Sequence, residues 1–264
     1  RSSAASDVYK RQSPHHALVT GGGSGIGAAI AVALVAAGLR VTIAGRRAEV
    51  LQALAVCYPG RMQAAVVDVT DEASVAQAFA QAKVGFGPVQ VLVNNAGQAH
   101  SAPFLKTDVA MWQQMLSVNL TGTFLCSQAA LPDMLAAKAG RIINVASTAG
   151  LVGYAYVAAY VAAKHGVVGL TRALALEVAK KGVTVNAVCP GYTETDILRE
   201  SIANVVAKTG RSEDEARATF ASGNPQGRIV QPEEVADAVR WLSGPGAASV
   251  NGQTIAVCGG ETMH

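Results

Sequence analysis

Tyr160 and Lys164 stand four residues apart, a spacing that puts a phenol and an ammonium on one face of a helix. The ammonium can stabilise the phenolate left when the tyrosine gives up its proton. Ser147, thirteen residues upstream, adds a hydroxyl able to hold a carbonyl oxygen. The three together make a device for moving a proton to or from an oxygen. A free phenol titrates near ~10, and lowering that by ~2–3 units takes about 3–4 kcal/mol of differential stabilisation. A charge pair in a water-poor pocket can supply it. Tyr154 and Tyr156 are followed four residues on by Ala158 and Tyr160, so neither has such a lysine. They are expected to line an opening or lie on the surface, and His165, on another side of the helix, is given no catalytic role.

A second group of residues could hold an anion. Gly21, Gly22, Gly23, Ser24, Gly25, Ile26 and Gly27 follow an apolar run and open a helical one. Glycines there let the backbone turn sharply and approach a pyrophosphate, whose charge the helix N-terminus stabilises. The spacing is Gly21-x-x-x-Gly25-x-Gly27, and a purely structural turn is the competing reading. Further along, Gly45 stands where a carboxylate would accept from a ribose diol, and Arg46 and Arg47 follow it. Guanidinium groups beside an uncrowded glycine suit a 2′-phosphate, which favours NADP(H). NAD(H) stays open if both arginines are merely solvated. Asp68 and Val69 close the next strand, with Asp68 placed to accept from an adenine amino group. Asn94, Asn95, Ala96 and Gly97 close the one after, where small residues and amides let a cofactor pass. Ordinary turn chemistry is the alternative for both.

These residues need a scaffold of strands that end at one edge. Apolar, β-rich runs at 17–19, 40–44, 62–67, 89–93, 141–145, 184–188 and 254–257 alternate with helical stretches long enough for right-handed crossovers. Several are continuously apolar, as in strands covered on both faces. The expectation is α/β: a single doubly wound, Rossmann-type domain over residues 13–264, with about seven parallel strands and helices on both faces. Residues 195–227 break the rhythm without a strand. They lie just beyond a strand's C-terminal end and carry Arg199, Lys208, Arg211 and Arg217. A helical lid over substrate is expected there, against a solvated helical hairpin.

The chain has 264 residues, half of them hydrophobic and 15% charged, which is ample for a sizeable core. A net charge of +3, with no basic run carrying aromatics, argues against nucleic acid as a partner. Cys57, Cys126, Cys189 and Cys258 have no CxxC pair or metal spacing, so free thiols in a reducing cytoplasm are expected and no metal site. The longest apolar stretch, residues 28–39, is short of the ~20 residues a membrane helix needs, so no membrane role is expected. Residues 1–12 lack the apolar region of a secretory signal. Within them 7–12 resemble an in-frame translation of a sequencing-transposon adapter, and the natural chain is expected to start near Ser13.

Taken together, these motifs resemble the short-chain dehydrogenase/reductase family. The likeness runs from Ala17 to Gly260: TGxxxGxG at Thr20–Gly27, Asp68, NNAG at Asn94–Gly97, Asn119, Ser147, YxxxK at Tyr160–Lys164 and Pro190-Gly191. The stretches at 144–148, 164–169, 185–191 and 231–236 are most similar to 3-oxoacyl-thioester reductases and ketoreductases of aromatic polyketide synthesis. The resemblance implies hydride transfer between nicotinamide C4 and a carbonyl carbon, with Tyr160 as general acid. It implies that Lys164 also holds the nicotinamide ribose and that Asn119 holds a water linking Lys164 to solvent. It places Pro190 and Gly191 beside the nicotinamide, and Thr195, with Thr193 as a substitute, against its carboxamide or the phosphates. The lid cations are set against the phosphates of a CoA or carrier-protein arm or, equally, against solvent. The helices bearing Asn119 and Tyr160 commonly form homodimer and homotetramer interfaces in that family.

The leading expectation is an NADPH-dependent reductase of a 3-oxoacyl thioester or related ketone. An NAD-dependent secondary-alcohol or 3-hydroxyacyl-CoA dehydrogenase is the second, and a catalytically idle nucleotide sensor the third. The intact Ser147, Tyr160 and Lys164 argue against a sensor. A Ser147 hydrolase is disfavoured because Ser147 lies outside a GxSxG elbow.

Overall fold

A computed structural model describes residues 15–263; the leader expected at 1–12 lies outside them. Seven parallel strands form one sheet in the order β3-β2-β1-β4-β5-β6-β7. They are β1 (His16–Thr20), β2 (Arg40–Gly45), β3 (Met62–Val66), β4 (Val91–Asn94), β5 (Gly140–Val145), β6 (Val183–Pro190) and β7 (Thr254–Val257). The helices between them are α1 (Gly25–Ala36), α2 (Ala48–Ala55), α3 (Glu72–Phe86), α4 (Val109–Leu116), α5 (Gly122–Ala137) and α6 (Ala158–Val178). After β6 come α7 (Asp196–Thr209), α8 (Glu213–Ala221) and α9 (Pro232–Ser243).

Continuous apolar strands are explained by cover on both faces. All five residues of β1 and all eight of β6 are buried. Successive side chains point to opposite faces, and β1 divides accordingly. Ala17 and Val19 join Ile30 and Leu34 of α1 and Val239 and Leu242 of α9 in one core. Leu18 joins Ala78 of α3, Met134 of α5 and Val178 of α6 in the other. Each fully buried Leu or Ile contributes roughly 1.5–3 kcal/mol. Residues 28–39 accordingly form most of α1 and its exit turn. No described helix is long and apolar enough to cross a membrane.

Strand ends differ from the sequence reading where hydropathy says nothing about pairing. Val89 is buried, yet β4 begins at Val91, where pairing with β1 starts. β6 runs on to Pro190, paired with Val257, although the sequence pattern stops at 188. The stretch 195–227 is helical as expected: α7 and α8 form a hairpin around Leu198, Ile202, Ala216 and Ile229. Ser212 and Glu215 start α8 with reciprocal side-chain-to-backbone hydrogen bonds.

The strand order reverses between β1 and β4, and this crevice positions the rest. The Thr20 hydroxyl oxygen accepts from the amides of Asn95 and Ala96, both at 3.0 Å. Asn95 Nδ2 in turn donates to the carbonyls of Thr20 (3.0 Å) and Gly21 (3.2 Å). Two loops from non-consecutive strands are thereby tied together. Thr20→Val removes the shared acceptor and leaves two amides unpaired. It is expected to destabilise the fold by about 1–3 kcal/mol in chemical denaturation, with Thr20→Ser recovering most of the loss.

Candidate active site

The predicted residues gather along the C-terminal edge of the sheet. The glycine turn comes first. Gly21 (φ +63°) and Gly25 (φ +51°) adopt left-handed backbone, and a Cβ on Gly27 would overlap the Gly21 carbonyl oxygen. The turn therefore lies flat against the start of α1. Ser24, the N-cap of α1, makes no side-chain cap bond, and the first turn has no acidic residue. The amides that open α1 are thus left for an anion, which the helix dipole favours, while that of Gly22 donates to the Ala44 carbonyl at 3.3 Å. This is the shape a dinucleotide pyrophosphate requires.

The nucleotide end lies beyond β2 and β3. Arg47 Nη2 donates to Ser24 Oγ at 3.2 Å, which folds this arginine back onto the glycine turn. Arg46 lies near enough to Asp68 to help hold its carboxyl below the usual range, although the Thr70 amide and hydroxyl contribute more. Both Thr70 groups bind Asp68 Oδ1, at 2.9 and 2.7 Å, so only the other oxygen is left for a base amino group. Val69 is buried against Gly122 of α5 and offers backbone rather than side chain.

Ser147 caps a single 3-10 turn, Thr148–Gly150, after β5, and its Oγ accepts from the Ala149 amide at 3.1 Å. Tyr160 and Lys164 share a face of α6, with the ammonium 5.6 Å from the centre of the tyrosine ring. A hydrogen bond from Ser147 favours the Tyr160 phenolate, but burial outweighs it and raises the phenol above its usual pKa. The sequence reading expected Lys164 to lower it. Lys164 is instead 4% exposed and donates to the Val145 carbonyl at 2.9 Å, and burial brings its own pKa down to about 8. The ammonium is aimed at the end of β5 rather than at the phenol oxygen.

Asn119 lies where the helix changes pitch. It sits at the centre of a π-helical turn, Ser117–Thr121, that joins α4 to α5. Its Nδ2 donates to the carbonyls of Gln98 (2.9 Å) and Met115 (3.0 Å), and its Oδ1 accepts from the Gln98 amide (3.2 Å). Both side-chain amide hydrogens are thereby taken up by backbone carbonyls. The side chain holds the loop after Gly97. A Cβ on Gly97 would stand 2.8 Å from Asn119 Oδ1 and 3.7 Å from Lys164 Nζ, so the three pack together.

Beyond β6, Gly191 donates to Val257 O at 3.1 Å, continuing the line of Pro190. The two threonines separate cleanly. Thr193 is buried and donates to the Gly191 carbonyl at 2.9 Å, so it shapes the turn. Thr195 starts α7, and its Cγ2 is 3.2 Å from where a Cβ on Gly25 would lie. Thr195 is therefore the one set over the glycine turn. Two lid cations are already paired: Arg199 with Glu194 (3.4 Å) and Asp196 (2.5 Å), and Arg217 with Glu194. That removes Arg199 and Arg217 from the cations expected to meet a phosphate arm and leaves Lys208 and Arg211.

Sequence reasoning passed over Glu261 and Tyr192, which also reach this edge. Glu261 accepts from the Tyr154 hydroxyl at 2.5 Å, and the Tyr192 ring meets Tyr154 (6.4 Å) and Phe220 of the lid (4.9 Å). A carboxylate just past the last strand, in a chain with few acids, was the available signal. Among the described residues, no group of three or more His, Cys, Asp or Glu could hold a metal ion.

The chain is similar to known proteins over nearly its whole length. The chain is 43% identical over 250 residues to cis-4-hydroxycyclohexanecarboxylate dehydrogenase of Sinomonas cyclohexanicum, covering 93% of this chain and 96% of that one. It is 39% identical over 252 residues to the 3-oxoacyl-[acyl-carrier-protein] reductase of Synechocystis, covering 94% and 96%. A variant of actinorhodin polyketide ketoreductase, crystallised with NADPH, superposes with a TM-score of 0.91 at 39% identity, over 95% of this chain and 98% of that one. The short chain dehydrogenase profile matches residues 15–206, and the chain belongs to that family.

Proposed function

We propose that this protein is an NADPH-dependent reductase of a 3-oxoacyl thioester or related ketone. The observation that carries the reading is the convergence of Ser147, Tyr160 and Lys164 beside an uncapped, glycine-lined helix N-terminus. The relatives named as ketone and oxoacyl reductases, one of them crystallised with NADPH, support it.

When bound, the nicotinamide cofactor supplies the hydride that reaches the carbonyl carbon. Ser147 donates a hydrogen bond to the carbonyl oxygen and orients it. Tyr160 delivers its hydroxyl proton to the oxygen as negative charge builds there, leaving a phenolate. A phenol held protonated by burial is well suited to act as the acid, the reductive direction. Lys164 would hold the ribose, and its ammonium, 5.6 Å from the centre of the Tyr160 ring, would act on the phenolate through space rather than by a hydrogen bond. Glycines 21, 25 and 27 with Ser24 and Ile26 hold the pyrophosphate, joined by Thr195. Arg46 and Arg47 hold the 2′-phosphate, Asp68 and Val69 the adenine, and Asn95, Ala96, Gly97, Pro190 and Gly191 the nicotinamide half. Asn119 positions Gly97, and Thr193 positions Gly191.

The substrate is small and carbonyl-bearing, carried on CoA or a carrier protein, with Lys208 and Arg211 the lid cations free for its phosphates. We infer further that the enzyme works in the cytoplasm as a homotetramer or homodimer. Exposed Phe104, Val109 and Phe124 around α4 and α5 support an oligomer, as four free cysteines support a reducing compartment. Light scattering would read its mass.

Tyr160→Phe is expected to keep NADPH binding while lowering turnover by about 10²–10⁴-fold. Near-normal turnover would sink the acid assignment. Replacing Arg46 and Arg47 together by alanine should weaken NADPH about 10–100-fold and NADH little, as loss of charge-assisted bonds predicts. Equal losses would refute the phosphate contact. Lys164 carries its charge below about pH 8 and loses it above. The NADPH dissociation constant, followed by fluorescence, should therefore be flat below pH 8 and rise above it. Lys164→Met should abolish that alkaline limb.

A further inference from the structure

We propose that Glu261 makes the substrate side of this cleft select neutral carbonyl compounds and reject free oxo acids. The inference rests on the reductase reading and specifies its substrate class. After β7 the chain reverses at Gly259 (φ +64°) and Gly260 (φ +94°), conformations a side chain would resist. The reversal turns Glu261 back over the C-terminal edge of the sheet. Its Oε2 lies 2.8 Å from where a Cβ on Gly191 would stand, so the missing side chain at 191 makes room for the carboxylate. Its Oε1 lies 3.5 Å from the corresponding point on Gly223, at the exit of the lid.

Two further contacts hold the carboxylate toward the reacting groups. Tyr154 has one hydroxyl proton and a carboxylate only accepts, so Tyr154 donates to Glu261 at 2.5 Å. The Thr148 hydroxyl, 2.9 Å away, then donates to the Tyr154 oxygen. Thr148 adjoins Ser147, so this chain of bonds runs from the carboxylate to the neighbour of the carbonyl-binding serine. Burial and the Glu261 bond push Tyr154 above the ordinary phenol range, which keeps it a fixed donor rather than a second acid. Tyr192, packed on Tyr154, lies close enough to both Glu261 and Tyr160 for charge on it to be felt at each.

Among the described residues, no ion pair includes Glu261. Its negative charge is therefore not neutralised by a neighbouring cation, at a half-buried position whose one side-chain hydrogen-bond partner among the described residues is Tyr154. A substrate bearing its own carboxylate beside the ketone would meet this charge directly. A neutral thioester or ketone would not, and the phosphates of a carrier arm lie at the far end of their tether.

The test compares acetoacetate with the neutral S-acetoacetyl-N-acetylcysteamine, assaying kcat/KM with NADPH in the wild type, in Glu261→Gln and in Tyr154→Phe. Glutamine keeps an oxygen for Tyr154 and removes only the charge. Glu261→Gln is expected to raise kcat/KM on acetoacetate about tenfold or more while the thioester changes less than about threefold. Tyr154→Phe retains the charge and should leave the wild-type preference for the thioester. Parallel changes on both substrates in Glu261→Gln would overturn the inference, as would a wild type that prefers acetoacetate. If the wild type reduces neither, while reducing no other ketone, the reductase reading itself falls and takes the inference with it.

Discussion

An anion can be bound by bare backbone only where two turns of chain come together with nothing between them. Here that condition is met where Gly27 faces the Gly21 carbonyl, a gap no Cβ would fit. Asn95 reaches into the same gap, its amide bonded to the Thr20 and Gly21 carbonyls, so β4 is drawn against the turn that leaves β1. The crevice at the strand reversal, the direction of α1 and the position of the loop through Gly97 all follow. Gly97 then leaves space that Asn119 and Lys164 fill, which connects the phosphate end of the cleft to the proton-transfer end.

The proton-transfer end is governed by burial more than by charge pairing. Removing Tyr160 and Lys164 from water disfavours the ionised form of each, so the phenol moves up and the ammonium moves down toward neutrality. The Ser147 hydrogen bond opposes the first shift without cancelling it. A tyrosine that keeps its proton and a lysine titrating near physiological pH form an acid waiting for charge to develop on a substrate oxygen. The Lys164 ammonium points at the Val145 carbonyl, which fixes its place at the junction of β5 and α6.

The helical hairpin of α7 and α8 is a smaller structure with its own rules. Its helices enclose a miniature apolar core, and Glu194 gathers Arg199 and Arg217 at its base. These pairs are partly exposed and add little stability. Their effect is to anchor the hairpin beside β6, so that Phe220 meets Tyr192 and Thr195 hangs over the glycine turn.

Much of this was legible in residue order. The seven strands, the glycine turn, the helical stretch 195–227 and the Tyr160–Lys164 pair are local patterns, because periodicity, backbone permissiveness and one-turn spacing are properties of neighbouring residues. Arg46 and Arg47 after Gly45 belong with them. Asn119 was singled out by the family likeness alone, since a π-helical turn has no sequence period of its own. Thr195 was set ahead of Thr193 by resemblance alone, because their order in the chain does not say which one faces Gly25. The lid arginines looked free, because Glu194 sits 23 residues before Arg217. By itself the sequence determined the sheet and the reaction class, both written in short-range spacing. Only the tertiary structure decided where Lys164 points, what Asn119 holds and that Glu261 reaches Tyr154 and Gly191. Those depend on burial and on contacts between segments far apart in the chain, such as the 107 residues between Tyr154 and Glu261.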